Sequence, residues 1–279
     1  MMSSPAPTNA NSYSNSEQEI WGALLKEACR LKTCEPKLAG FIDRSILDFG
    51  CFQHALRAQL VARFSGDTLP PLQLSEIVDE AHRLDSRLVQ AGAADLMAYR
   101  SRNAAFGNYL SPFLYFKGFH ALQAQRISNH LWEHAQRDLA VHLYDRICQV
   151  SGTDIHPAVK FGKGIFIDHA IGLVIGETAV VEDDVSLLHN VTLGATGNDR
   201  GDRHPKIRRG AIVGAGAIIL GNIDIGYGAR VGAGSVVIKS VTPYTTVVGT
   251  PAKPVRRDLA SRAECSSGAD HDQFDWVIY

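Results

Sequence analysis

The chain has 279 residues, with 28 Lys and Arg against 29 Asp and Glu and a formal net charge of −1. That length supports a sizeable core in one large domain or two modest ones. The charge balance excludes nucleic acid or an anionic membrane as a partner held by overall charge. Apolar runs are broken by charge or glycine before the ~20 residues of a membrane span, so a soluble protein is expected.

Residues 1–15, MMSSPAPTNANSYSN, lack the basic start and apolar middle of a secretory signal and the arginines of a transit peptide, and are expected to be a disordered tail. From 16 to 150 apolar residues recur at three- and four-residue spacing, as in IWGALLKEACRLKTCEP and in the run from Pro112 that includes Leu122, Ile127, Leu131 and Leu139. This segment is predicted to be an all-α domain, with helix boundaries at Glu35-Pro36, Pro70-Pro71 and Ser111-Pro112. The five cysteines, Cys29, Cys34, Cys51, Cys148 and Cys265, form no CxxC pair. They point to a reducing cytoplasm, with no zinc or redox dithiol.

After Ser151-Gly152-Thr153 the period becomes six. The units read IHPAVK, FGKGIF and IDHAIG, then two extra residues, then IGETAV, VEDDVS and LLHNVT. After a loop they resume as IRRGAI, VGAGAI, ILGNID, IGYGAR, VGAGSV and VIKSVT. An aliphatic residue or Phe opens each unit, and a small or β-branched residue sits four later. Neither a 3.6-residue helix nor an isolated alternating strand has this period. The repeat resembles the hexapeptide repeat of left-handed parallel β-helices, whose openers point into a triangular prism with one continuous core. Gly176, Gly214, Gly226 and Gly232, at second positions, are expected to serve corners needing positive φ. The expected organisation is α+β and multidomain: a helical domain (16–150), a left-handed β-helix (151–257) and a flexible tail (258–279).

Chemistry is expected where the repeat breaks. Asp154-Ile155-His156-Pro157 and Asp168-His169 form one departure, and the insertion GATGNDRGDRHPK between Leu193 and Ile207 forms the other. A histidine beside a carboxylate suits general-base catalysis, because the carboxylate orients the ring and stabilises its protonated form. With an ordinary pKa near ~6.5, such a ring can take the proton of an aliphatic hydroxyl. On spacing alone the commoner reading of His169 is a structural, hydrogen-bonded role.

The segment DIHPAVKFGKGIFIDHAIGLVIGETAVVEDDVSLLHNVTLGATG, followed by GDRHPKI and VGAGAIILGNIDIG, closely resembles the serine acetyltransferase family. The helical half is similar to it too, through YLSPFLYFKGFHALQAQRI and the helix that follows. The similarity runs from about Trp21 to Val255. It implies acetyl transfer from acetyl-CoA to L-serine by direct attack, the first step of cysteine biosynthesis from serine. His169 would be the base and Asp154 its orienting carboxylate, with no metal and no cysteine nucleophile. Asp168 would bind the serine ammonium, and Arg203 with His204 its carboxylate. The same resemblance places acetyl-CoA near Gly194, Ala195, Thr196, Gly214, Ala215 and Ala233, with Arg230 and Lys253 toward its phosphates. It further implies a homohexamer built from two trimers, feedback inhibition by L-cysteine, and a C-terminal segment (Trp276, Val277, Ile278) that inserts into O-acetylserine sulfhydrylase.

The chain departs from the family pattern at three places. The RxRDP-type segment is Arg100-Ser101-Arg102-Asn103-Ala104, so Asn103 replaces an acid expected near the serine ammonium. Gly-Gly-Thr-Gly is Gly194-Ala195-Thr196-Gly197, adding a methyl group where the thioester passes. Tyr279 follows Ile278, shifting the terminal carboxylate off the isoleucine. Rival readings are a hexapeptide acetyltransferase for homoserine or a sugar, a weakly active or non-catalytic paralogue regulating the sulfhydrylase, and a γ-type carbonic anhydrase with zinc on His156, His169, His189 or His204.

Overall fold

In a computed structural model that describes residues 10–197 and 200–257, helices and strands divide at Gly152. The expected sulfhydrylase segment with Trp276, Val277 and Ile278 lies outside the described residues, as does Cys265. The helices are α1 (Ala10–Cys34), α2 (Ala39–Ile42), α3 (Phe52–Phe64), α4 (Pro71–Leu84), α5 (Arg87–Arg102), α6 (Leu110–Tyr115), α7 (Lys117–Glu133) and α8 (Arg137–Ser151). α1 thus starts upstream of the expected Ser16, its polar first turns propagating from the amphipathic segment that follows.

The prolines act as expected, with one shift. α1 ends ahead of Glu35-Pro36, and Pro71 opens α4 at a position whose N–H would have no helical partner anyway. Pro112 instead falls in the first turn of α6, which begins at Leu110, because the first turn also tolerates a missing donor. The run from Pro112 is broken by extended backbone at Phe116 and by a left-handed residue, Ala135. Tyr99, Phe52, Phe64, Phe113 and Phe119 fill the helical core. Gly152, left-handed at φ 72°, ends α8 and turns the chain into the strands.

The strand half is a parallel β-helix of triangular section. Its first side stacks β1 (Asp154–Ile155), β4 (Val174–Ile175), β7 (Thr192–Gly194), β10 (Ile218–Leu220) and β13 (Val236–Val237). The second stacks β2 (Lys160–Phe161), β5 (Val180–Val181), β8 (Lys206–Ile207) and β11 (Asp224–Ile225). The third stacks β3 (Phe166–Ile167), β6 (Ser186–Leu187), β9 (Ile212–Val213), β12 (Arg230–Val231) and β14 (Thr245–Gly249), and β15 (Ala252–Arg257) closes it antiparallel to β14. Unit openers align in register, Ile155 on Ile175 and Ile175 on Leu193, and point inward. Each buried aliphatic stabilises the stack by roughly 1.5–3 kcal/mol.

Two details of the repeat differ from expectation. Left-handed backbone falls at fourth positions, including Gly164, Asp184, Asn190 and Gly216, and not at the second-position glycines. Those are small for clearance instead: a Cβ on Gly214 would lie 2.6 Å from the Ala233 nitrogen of the next coil. The second difference is at the two extra residues. Ile171 is 54% exposed, while Leu173 takes the inward place. The corner therefore widens between Ala170 and Leu173, and His169 and Ala170 are both left-handed, at φ 59° and 67°.

The three sides carry different surfaces. The third is covered by helices at its first coil, where Leu122 of α7 also enters the prism core: Phe166 packs edge-on to Tyr99 at 4.9 Å, and the Tyr99 hydroxyl donates to the Ile167 carbonyl at 2.8 Å. A Cβ on Gly118 of α7 would collide with the same carbonyl, which accounts for the glycine in FKGFHALQ. Fully buried Asp95 accepts from the Ile165 amide, Gln123 and Arg126, and Arg126 donates on to the Phe161 and Gly162 carbonyls. Burial raises the Asp95 pKa even though Arg126 opposes it. The second side is polar, with Lys160, Lys206 and Asp224 outward; the first is apolar and exposed at Val174 and Ile218.

Candidate active site

The candidate site residues sort onto two edges of the prism. Where the third side turns into the first, successive coils place Asp168-His169, Leu188-His189, Gly214-Ala215 and Gly232-Ala233 one above another. Amide-to-carbonyl bonds join them: Asp168 to Leu187, Leu188 to Val213, Gly214 to Val231 and Gly232 to Val247. Asp154 begins β1 at this same edge. Where the first side turns into the second lie His156, Gly176-Glu177-Thr178, Gly194-Ala195-Thr196 and the arm that brings in Arg203 and His204.

On the first of these edges the imidazole of His169 is mostly solvent-exposed, 3.5 Å from the Asp168 carboxylate. The His189 ring meets it edge-on at 5.7 Å. Left-handed backbone at two successive non-glycine residues costs on the order of 1–3 kcal/mol each and persists only where packing over-determines it. Here the fully buried Ala170 and Leu173 hold the widened corner. The expected contact between Asp154 and His169 does not occur among the hydrogen bonds and ion pairs of the described residues. Asp154 Oδ1 instead accepts from the Tyr144 hydroxyl at 2.6 Å. Nothing in the sequence marked Tyr144, whose contact needs α8 to lie across the start of β1.

On the second edge, His204 Nδ1 accepts from the Thr178 amide at 3.2 Å, which leaves the proton on Nε2. A Cβ on Gly176 would occupy the space of that ring, so GET in IGETAV is a seat for His204. His156 is fixed similarly, its Nδ1 accepting from the Ala158 amide at 3.1 Å. Burial lowers the pKa of both rings, with Arg203 adding to the effect, so both are neutral donors near pH 7. Arg203 pairs with Glu177 at 2.6 Å, and that hydrogen bond holds the Glu177 carboxyl below its ordinary range. Glu177 and Thr178 join the candidate site through Arg203 and His204, and their polarity amid a hydrophobic repeat is the signal the sequence offers.

The remaining candidates distribute around these edges. Asn103 caps the end of α5, its side-chain oxygen accepting from the Ala105 and Phe106 amides. Its neighbour Arg102 donates to the Gly164 carbonyl on the third side. Arg230 starts β12, and Lys253 lies opposite Val248 in the closing hairpin. Among the described residues no group of three His, Cys, Asp or Glu is placed to hold a metal ion.

A triangular parallel β-helix of six-residue sides, with a helical domain on its first coil and candidate groups along two edges, is the architecture of the hexapeptide-repeat acyltransferase class. A family model described as "Serine acetyltransferase, N-terminal" matches residues 20–124. The serine acetyltransferase of Escherichia coli K12 is 48% identical over 236 residues, 85% of this chain and 86% of that protein. This chain belongs to the serine acetyltransferase family, and its prism is the left-handed β-helix of that family. Similar solved structures include the Brucella abortus enzyme in complex with coenzyme A, at 40% identity and TM-score 0.84 over 86% of this chain and 96% of that one. The soybean enzyme complexed with serine matches at 47% identity and TM-score 0.83, over 86% and 99%. A serine acetyltransferase in complex with cysteine matches at 43% identity and TM-score 0.85, over 86% and 100%.

Proposed function

We propose that this protein transfers the acetyl group of acetyl-CoA to the hydroxyl of L-serine, with His169 as general base. The observation that carries this reading is the exposed imidazole of His169 in its widened corner, above the small residues Gly214, Ala215 and Ala233 of the same edge. His169 takes the hydroxyl proton as the serine oxygen attacks the thioester carbonyl; the tetrahedral adduct then expels the CoA sulfur, which leaves with that proton. Asp154 orients the ring. Asp168 faces the serine ammonium, and Arg203 with the Nε2–H of His204 its carboxylate. The coenzyme runs along small corner residues, Gly194, Ala195 and Thr196 on one edge and Gly214, Ala215 and Ala233 on the other. Arg230 and Lys253 lie toward its phosphates.

One prism cannot bring all of these groups to one serine, because a six-residue side separates its edges by roughly 15–20 Å. A complete site needs the His169 edge of one protomer against the Arg203 edge of another. The exposed apolar first side suits that packing, giving a trimer that pairs into a hexamer through helical halves. L-cysteine, which shares serine's ammonium and carboxylate, competes at the same subsite. The C-terminal segment with Trp276, Val277 and Ile278 docks on O-acetylserine sulfhydrylase.

Release of CoA with serine, homoserine and a galactoside, in wild type and His169→Ala, tests the reading. Turnover with serine, lost by about 10²–10⁴ in the variant, is expected. Equal release by both proteins defeats the His169 assignment, and preference for another acceptor defeats serine.

A further inference from the structure

Tyr144 projects from α8, within the helical half, onto the carboxylate that the proposed mechanism uses to orient His169. The chain reaches that carboxylate through a rigid path. The Ser151 hydroxyl is bonded to the Ile147 carbonyl and the Thr153 hydroxyl, and Gly152 makes the left-handed turn. Asp154 therefore follows the last turn of α8 by three residues, with its backbone held by the Leu173 carbonyl of the next coil. The Tyr144 hydroxyl occupies Oδ1 of the carboxylate at 2.6 Å and leaves Oδ2 without a hydrogen bond among the described contacts.

We infer that Tyr144 is a positioning residue for acetyl transfer, anchoring Oδ1 of Asp154 so that Oδ2 is presented to His169. The inference rests on the assignment of His169 and Asp154 made above. A carboxylate on the exposed start of a two-residue strand has free rotation about its side-chain bonds, and one charge-assisted hydrogen bond removes much of that freedom. The tyrosine suits this role because it stays a neutral donor. Burial raises its pKa, and the bond to Asp154 adds to the effect.

The titratable groups around this pair are few. α8 contributes Tyr144, Cys148, whose thiol meets the same hydroxyl, and Asp145 beside Cys148. The prism contributes His156 after Asp154, and Asp168 and His189 beside His169. Among the described hydrogen bonds, the Tyr144 hydroxyl is the donor that meets the Asp154 carboxylate.

The test is Tyr144→Phe in the full chain, compared with wild type and His169→Ala. The phenylalanine keeps the ring and its packing, and thermal melting checks that the fold is retained. Expected are a kcat lower by about three- to tenfold and an acetyl-CoA KM within about twofold of wild type. A kcat within about twofold of wild type, or a loss carried by KM with kcat unchanged, overturns the inference. If His169→Ala is inactive while Tyr144→Phe behaves as wild type, only the role of Tyr144 fails. If His169→Ala keeps full activity, the underlying assignment fails as well.

Discussion

Inside the helical half, Asp95, Gln123, Arg126, His82 and His120 are buried among aromatic and aliphatic side chains; along the prism axis, the residues that open each coil are aliphatic. The prism core is aliphatic and repetitive, so its polar groups lie outside it, on the edges and on the second side. The helical half uses buried polar groups differently. Asp95 and Arg126 bond to strand amides and carbonyls, and Tyr99 bonds to the Ile167 carbonyl. These contacts fix where the helices sit on the first coil, next to the corner that carries Asp168 and His169. One half supplies a ruler, and the other sets its position against the reactive edge.

The contrast is broken most severely at Asp95. Asp95→Ala leaves Arg126 buried without its carboxylate, and the expected loss is about 3–5 kcal/mol in urea unfolding. A comparable loss is not expected from Lys160 on the second side, whose ion pair with Glu133 is exposed.

Acid provides a second way to separate the halves. Burial lowers the pKa of His82 to about 4 and of His120 to about 3, both in the helical half. Each folded value lies below the unfolded ~6.5, so the contribution is present above pH ~6.5 and is lost as pH falls toward 4 and 3. Each histidine steepens the loss by roughly 1.4 kcal/mol per pH unit in that window. Unfolding followed from pH 7 to pH 4 is expected to show a shallower slope for His82→Gln than for wild type by about that increment.

In the prism the sensitive positions are close approaches. Gly214→Ala places a methyl group 2.6 Å from the Ala233 nitrogen, and a loss of about 1–3 kcal/mol is expected by denaturant titration. The smallest effect expected is at Asn103. Asn103→Asp keeps the turn with Ala105 and Phe106 and restores a negative charge at the end of α5. The serine KM is expected to fall about two- to tenfold; unchanged serine kinetics would remove Asn103 from the site.

Much of this protein is legible along the chain. Ile155, Ile175, Leu193 and their successors mark the inward positions because each six-residue side turns one residue to the core, whatever lies elsewhere in sequence. The prolines mark helix ends for equally local reasons. The two extra residues after Gly172 show in the sequence as a break in period, but which residue goes inward does not. Leu173 displaces Ile171 because the widened corner delays the return to the core. The glycines at second positions were read for backbone freedom, whereas Gly214 and Gly176 answer to atoms of the next coil and of His204.

The sequence by itself determined the two halves, the period of the prism, the family, and the residue types at the edges, since each depends on short-range spacing. Only the tertiary structure decided that Asp168 and His169 occupy one edge while Arg203 and His204 occupy another. It likewise decided that Tyr144 holds Asp154 and that Asp95 and Arg126 join the helices to the strands. Those contacts link segments separated along the chain, and their partners are chosen by how a helix end, a corner and a coil stack in space, which no periodicity encodes.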